Sequence, residues 1–111
     1  MENTIRASID IDKAANLIEN GILHSSLTGE MIDYYEVSAQ NDIKCIVMIF
    51  ERHYLRAGNR LTLTVTLDNI NGVTRIHYVG GGGGEGFFKF DWGAAESFGE
   101  LIPKILDEFI I

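Results

Sequence analysis

The segment Arg60–Asp68 constrains the fold more than any other part of this chain. Leucine or valine occupies every second position, and threonine fills the positions between them, as in Leu61-Thr62-Leu63. Because successive side chains of a β-strand point to opposite faces, this alternation predicts a strand that is buried on one face and solvated on the other. Half-buried strands of this kind are typical of antiparallel sheets. We therefore expect a sheet whose leucine face packs against other elements.

Further strands are expected on both sides of this segment. Asn71-Gly72 is a strong tight-turn signal, and it predicts a hairpin loop that starts at Asn69. Alternating or β-branched runs predict the other strands at Thr4–Ile9, Met31–Ala39, Ile43–Tyr54 and Val73–Val79, with a further short strand at Gly86–Asp91.

Two helices are predicted, one near each end of the chain. In the first, apolar residues recur at helical spacing from Ile11 to Ile22, Asp10 is the expected N-cap, and Gly21 is the expected left-handed residue after the last turn. In the second, Asp91 is the expected N-cap, and the apolar stripe consists of Ala94, Phe98, Leu101, Ile102, Ile105 and Phe109. Pro103 lies inside this stripe and predicts a kink or break near Gly99.

The elements add up to a single domain over residues 1–111, because a chain of this length has no room for two independent cores. The expected class is α+β: a strand, a helix, four or five antiparallel strands and a long C-terminal helix (β-α-β4(5)-α). The leucine face of Arg60–Asp68 and the stripe from Ala94 to Phe109 are expected to make most of the core.

This order of elements resembles the helix-grip architecture of the START-like proteins, which are grouped by fold with the TATA-box-binding protein. The resemblance is topological, covers nearly the whole chain and rests on no diagnostic motif. It implies a curved sheet that grips the last helix, with an apolar ligand held between the two. The chain is also similar to a small bacterial family of uncharacterised proteins, and that resemblance implies no activity.

Charge and cysteine usage exclude several classes of protein. The chain has 9 Lys+Arg against 16 Asp+Glu, a formal net charge of −7, whereas nucleic-acid binding depends on basic residues that neutralise phosphates. The single Cys45 permits no intramolecular disulfide, and the N-terminal residues contain no apolar signal segment. The longest apolar run, Cys45–Phe50, is far shorter than the roughly 20 residues that span a bilayer. We therefore expect a cytoplasmic protein without nucleic-acid or membrane partners.

The most conspicuous motif is the glycine-rich segment Gly80–Gly86. Glycines allow backbone N–H groups to approach a phosphate closely, but known phosphate cradles lead into a helix, and the P-loop continues with Lys and Ser/Thr. Here Glu85 and two phenylalanines follow, and a carboxylate repels phosphate. The interpretation we favour is a flexible hairpin loop or an irregular strand edge; a flap over a pocket is the functional alternative.

Aromatic residues cluster after the glycines. They either fill the core, which is the commoner role of aromatic side chains, or form part of a ligand site between the sheet and the last helix. The residues expected to line such a site are Trp92, Phe98, Phe88, Tyr78 and Ile102.

The strand Ile43–Phe50 is apolar on both faces. One face must meet the core, and the second is either covered by a helix or exposed as a partner surface. Homodimerisation is the functional interpretation, and a central strand covered on both sides gives the same pattern. The even-numbered residues Ile46, Met48 and Phe50 are taken as the interface, although the sequence does not determine which way the strand faces.

Candidate catalytic and metal-binding residues are scattered. His24, His53 and His77 form no pair at i, i+2 or i, i+4 spacing, so we expect no metal site and no cofactor. Cys45 lies in the middle of an aliphatic strand, where a thiol is usually buried and inert. No nucleophile motif or carboxylate pair nominates a catalytic centre, and we do not expect an enzyme.

A basic patch is expected around Gly58, formed by Arg52, His53, Arg56 and Arg60. It either receives the acidic group of a ligand or partner, or it is a solvated loop whose charges balance nearby carboxylates. The function expected from the sequence is thus a non-enzymatic module that binds a small apolar or amphipathic ligand between the sheet and the C-terminal helix. The alternative is a homodimeric interaction module with a solid core and no ligand.

Overall fold

The computed structural model describes residues 3–25, 29–54, 59–83 and 92–111. Its strands are β1 (Thr4–Ala7), β2 (Glu30–Ser38), β3 (Lys44–Tyr54), β4 (Asn59–Asp68) and β5 (Thr74–Gly83). Its helices are α1 (Ile11–His24), α2 (Trp92–Gly99) and α3 (Leu101–Ile105), with 3₁₀ turns at Gln40–Asp42 and Asp107–Phe109. The predicted α+β class is confirmed. The strand predicted at Gly86–Asp91 and the predicted N-cap Asp91 lie outside the described residues.

The five strands form one antiparallel sheet in the order β1-β5-β4-β3-β2. The first strand therefore pairs with the last, and β2 lies at the opposite edge. The C-terminal residues run along β1, where the Ile111 amide donates to the Arg6 carbonyl at 3.0 Å and the Ser8 amide donates to the Phe109 carbonyl at 2.8 Å. One edge of the sheet is thus covered by the chain's own C-terminus.

The core lies between one face of this sheet and the helices. The predicted leucine face of β4 is buried, and none of its members is more than 1% exposed: Leu61, Leu63, Val65 and Leu67. The alternation of the sequence predicted this correctly, because β4 is the central strand and only one of its faces meets the helices. We call the helix-covered side the inner face and the opposite side the outer face.

Helix α1 begins as predicted and ends later than predicted. The Asp10 carboxylate accepts a hydrogen bond from the Lys13 amide at 2.9 Å, which confirms the N-cap. Gly21 does not end the helix, which continues to His24. A Cβ atom at Gly21 would lie 2.6 Å from the Ile105 Cδ1 atom, so glycine here allows α1 and α3 to pack closely.

The C-terminal helical segment packs on the sheet, and it is broken where the proline predicted. Helix α2 ends at Gly99 and α3 begins at Leu101, which places Pro103 in the first turn of the new helix, where a missing N–H is tolerated. The buried side chains of this segment include Phe98, Ile102 and Leu106, all 0% exposed. None of the helices in the described ranges has the length and hydrophobicity needed to cross a bilayer.

The first four residues of the glycine-rich segment belong to β5, so a loop is the wrong description for Gly80–Gly83. Gly80 pairs with Leu63 and Gly81 with Thr62, in register with the rest of the β4–β5 ladder. A Cβ atom at Gly80 would overlap the carbonyl oxygen of Ala95 in α2. Glycine at this position therefore lets the α2 backbone rest directly on the strand.

Candidate functional site

The structure places the three predicted interface residues of β3 in the core. Ile46, Met48 and Phe50 are each 0% exposed, and their cross-strand partners are Leu67, Val65 and Leu63. Directly opposed residues share a face of the sheet, so the leucine face of β4 draws the even-numbered side of β3 into the core. The surface side of β3 is thus the odd-numbered one, opposite to the predicted side.

That outer side of the sheet carries an apolar patch on β2 and β3. Its members, which we call the outer patch, are Tyr35, Val37, Cys45, Val47 and Ile49. Tyr35 pairs with Val47, and Val37 pairs with Cys45, so the two strands form one continuous surface. Tyr35 is 59% exposed and Val37 is 49% exposed, while the β3 members are half-buried between their neighbours. Cys45 was expected to be buried; it belongs to this outer patch because of the facing of β3.

The outer face becomes polar on the next strand. Beside the outer patch, β4 presents the uncharged side chains of Thr62, Thr64 and Thr66. Beyond them, Arg75 of β5 is neutralised by Asp68, whose carboxylate accepts two hydrogen bonds from the guanidinium at 3.0 Å. Among the described residues, no helix covers any part of this face, because all three helices pack on the inner one.

Strand β2 is exposed at its edge as well as on its faces. In the described part of the chain its only partner strand is β3. The pairing is interrupted by a bulge between Met31 and Asp33, where Ile32 is 50% exposed. Bulges and charged side chains are the devices that protect free edges from pairing with another sheet. The edge is therefore less suited to a partner than the outer face.

The predicted basic patch is divided between the two faces of the sheet. The Arg52 guanidinium lies on the inner face, 4.7 Å from the centre of the Phe98 ring, and donates to the Ser25 hydroxyl at 3.2 Å. His53 and Arg60 lie on the outer face, where both approach the Glu51 carboxylate, at 3.7 and 3.8 Å. Arg56 lies outside the described residues.

Strand pairing also joins groups that the sequence spacing kept apart. Glu30 of β2 lies opposite Glu51 of β3, and potential ligand atoms of these two carboxylates and of His53 lie within 4.8 Å of one another. A histidine and two carboxylates are a common ligand set for transition metals. Here Arg60 already approaches Glu51, and the surroundings are exposed, so we interpret the group as a surface ion-pair network.

Two of the predicted ligand-binding residues lie in the hydrophobic core. Phe98 and Ile102 are fully buried between α2, α3 and the sheet, which leaves no room beneath the helix at that point. Phe88 lies outside the described residues, as does the side chain of Trp92, whose backbone opens α2. Tyr78 is 6% exposed and borders open space.

That space is a cleft of about 260 Å³ between β5 and α2. Its lining residues are Asn3, Tyr78, Val79, Gly80, Ala95, Glu96, Gly99 and Glu100. Burial is the main cause that raises the pKa of the Tyr78 phenol, and the nearby Glu100 carboxylate raises it further. The sequence did not predict Glu96, Gly99 and Glu100 as site residues, because a solvated helix face and a glycine at a break carry no signal of a cleft.

Comparison with known families places the chain in one of them. A model of DUF6054, a family of unknown function, matches residues 1–110, so the chain belongs to that family. No curated protein and no solved structure matches it. The family description assigns no activity.

Proposed function

We propose that this protein is a homodimeric interaction module whose interface is the outer face of the sheet, centred on the outer patch. The observation that carries the proposal is the apolar outer side of β3 at Cys45, Val47 and Ile49, beside the exposed Tyr35 and Val37. The solvated face of an antiparallel sheet is normally polar, as the threonines of β4 are. A continuous apolar area without a covering element is the usual mark of a partner surface.

A second copy of the chain is the partner that suits this surface. An interface about a two-fold axis must be complementary to itself, and the outer patch and the threonines beside it carry no charge that would repel its own copy. The four strands β2 to β5, spaced about 4.8 Å apart and nine to eleven residues long, give a footprint of about 600 Å² per copy. Two copies would bury about 1,200 Å², the lower limit of specific interfaces, so we expect a dimer that dissociates at micromolar concentrations.

Sedimentation velocity between about 1 and 200 µM tests the dimer. The wild type should shift from monomer to dimer over this range, and Val47→Lys should remain monomeric because it buries a charge at the centre of the interface. Tyr35→Lys should weaken the dimer at least about thirtyfold, since the loss of a central aromatic contact costs about 2 kcal/mol.

Tyr34→Lys is the matched control, because Tyr34 is the adjacent residue of the same edge strand, is 42% exposed and points to the inner face. It should dimerise like the wild type. If Tyr34→Lys and Tyr35→Lys weakened the dimer equally, the contact would run through the β2 edge instead of the outer face. A wild type that stays monomeric at 200 µM would contradict the proposal.

Small-ligand binding beside the C-terminal helix is a second candidate function. The observation that favours it is the cleft at Tyr78. With Phe98 and Ile102 buried in the core, a ligand would sit beside α2 rather than beneath it. Variants of the residues that line this cleft therefore test the ligand site.

We also propose that the fold belongs with the helix-grip group. The pairing of the first strand with the last, and a C-terminal helical segment on one face of an antiparallel sheet, support this assignment. An experimental structure superposed on helix-grip proteins tests it: failure of the strands and α2 to align together would contradict it.

A further inference from the structure

The cleft between β5 and α2 has the size of a small organic molecule. Its floor consists of the Tyr78 ring and the small residues Gly80, Ala95 and Gly99, and its rim carries Asn3, Glu96 and Glu100. A water molecule takes about 30 Å³ in the liquid, so about 260 Å³ corresponds to about nine waters. A ligand of about nine non-hydrogen atoms fits this space.

The rim of the cleft is negatively charged. Glu100 lies one residue beyond α2, but its amide donates to the Glu96 carbonyl at 2.9 Å, so the helical spacing continues to it. Two carboxylates four residues apart at this spacing lie on one side of the helix and repel each other. Among the described residues, no basic side chain lies within 4.0 Å of either carboxylate, and no basic residue lines the cleft. The nearest basic residue in sequence, Lys104, shares a separate shallow surface with both glutamates. A bound cation would relieve this repulsion.

Tyr78 adds a polar group to the wall of the cleft. Tyr78 is 6% exposed, lines the cleft, and its hydroxyl makes no hydrogen bond with any described residue. A hydroxyl group at the wall of a cleft can donate a hydrogen bond to a bound ligand or accept one from it. The aromatic ring beside it is a favourable contact for an apolar body or for an ammonium group.

From these observations we propose that the cleft between β5 and α2 binds a small organic cation: a primary ammonium group carried on a short apolar body. The ammonium group lies between Glu96 and Glu100, and the apolar body packs on Tyr78, Ala95 and Gly99. Charge-assisted hydrogen bonds to the carboxylates supply the specificity. The site is separate from the proposed dimer interface on β2 and β3, so each proposal can fail without the other.

A series of three probes of nearly equal size tests the charge requirement. Phenethylamine is the cation, 2-phenylethanol the neutral analogue and phenylacetate the anion. Titrations into ¹⁵N-labelled protein should show amide shifts at Gly80, Ala95 and Gly99 with phenethylamine, with a dissociation constant on the order of 0.1–1 mM for so small a ligand. The alcohol should bind at least about tenfold more weakly, and the anion should not bind.

Gly99→Ala tests whether phenethylamine binds in the cleft. A Cβ atom at Gly99 would lie 3.5 Å from the Tyr78 Cδ2 atom and 3.8 Å from the Gly80 amide nitrogen, both ordinary contact distances. The added methyl group therefore occupies the cleft without disturbing the fold, and alanine also favours the helix. Thermal unfolding checks the fold, and phenethylamine binding should be lost.

Glu96→Gln and Glu100→Gln keep the shape of the rim and remove its charge, and each should weaken phenethylamine binding about tenfold. Equal binding of the alcohol and the amine would overturn the claim that a cation is recognised. Unchanged affinity in Gly99→Ala would place the ligand elsewhere, and no shift with any probe at 10 mM would overturn the site itself. Tyr35→Lys, which acts on the proposed dimer, should bind phenethylamine as the wild type does.

Discussion

Tyr78 combines a structural role with the binding role that we propose for the cleft. Its ring packs in the core between β5 and α2, while its hydroxyl lies at the wall of the cleft near Glu100. Burial and the Glu100 carboxylate both disfavour the phenolate, and they raise the pKa of Tyr78 above the ordinary value of 10.0. The folded protein therefore holds this proton more tightly than the unfolded chain does.

This difference predicts a loss of stability in alkaline solution. The contribution of Tyr78 to the free energy of unfolding is complete below pH 10, where the phenol is protonated in both states. It falls as the pH rises through the higher pKa of the folded state, because the unfolded state ionises first. Urea unfolding at pH 9 and pH 11 should show a smaller loss for Tyr78→Phe than for the wild type. Equal losses would mean that the phenol is not shielded.

At the scale of elements, the contact between β5 and α2 decides the shape of the inner side. Gly80 allows the backbone of α2 to contact β5. Phe98 and Ile102 are fully buried between the helices and the sheet, and open space lies beside α2 in the cleft. The facing of β3 is likewise determined by its pairing with β4. Its even-numbered residues enter the core because they stand opposite the leucine face of β4.

Two neighbouring glycines give a matched test of the β5–α2 contact. Gly80→Ala should lower the free energy of unfolding by about 1–3 kcal/mol or more, because the new methyl group overlaps the Ala95 carbonyl and forces α2 outward. Gly81→Ala should be neutral or slightly stabilising, since its Cβ atom would meet only the Thr62 hydroxyl at 3.5 Å. Chemical denaturation measures both. Similar values for the two variants would show that α2 does not rest on β5.

At the scale of the whole molecule, the net charge of −7 acts in opposite directions on the two proposed functions. It repels a second copy of the chain, and it attracts an organic cation. The dimer must therefore be held by apolar contact, whereas the cleft depends on charge. The salt concentration should therefore affect dimerisation and cation binding in opposite directions.

We expect added salt to strengthen dimerisation and to lower the affinity of the cleft for an organic cation. Two charges of −7 about 25 Å apart repel by about 0.7 kcal/mol in 0.1 M salt and by almost nothing in 1 M salt, so dimerisation should tighten about threefold. Phenethylamine binding should weaken over the same range. Sedimentation and NMR titration at both salt concentrations measure the two effects, and a dimer that dissociates in 1 M salt would point to an interface of ion pairs.

Sequence patterning accounts for much of the fold because the relevant signals are local. Four of these signals each depend on a few neighbouring residues, and the structure has all four. They are the alternation in Arg60–Asp68, the N-cap at Asp10, the turn after Asn69 and the break caused by Pro103. The sequence left open whether the glycine segment is a loop or an irregular strand edge, because the reason for its glycines is not local. Gly80 is explained by Ala95 of α2, fifteen positions later in the chain.

The sequence by itself determined the α+β class, the apolar character of both faces of β3 and the negative charge of the molecule, because periodicity and composition are properties of the chain alone. Only the tertiary structure decided which face of β3 is exposed, since facing depends on the register with β4. It also brought Glu30 to Glu51 and Glu100 to Tyr78, pairs that strand pairing and helix docking join across the fold. Both candidate surfaces arise from such contacts, and neither could be located without them.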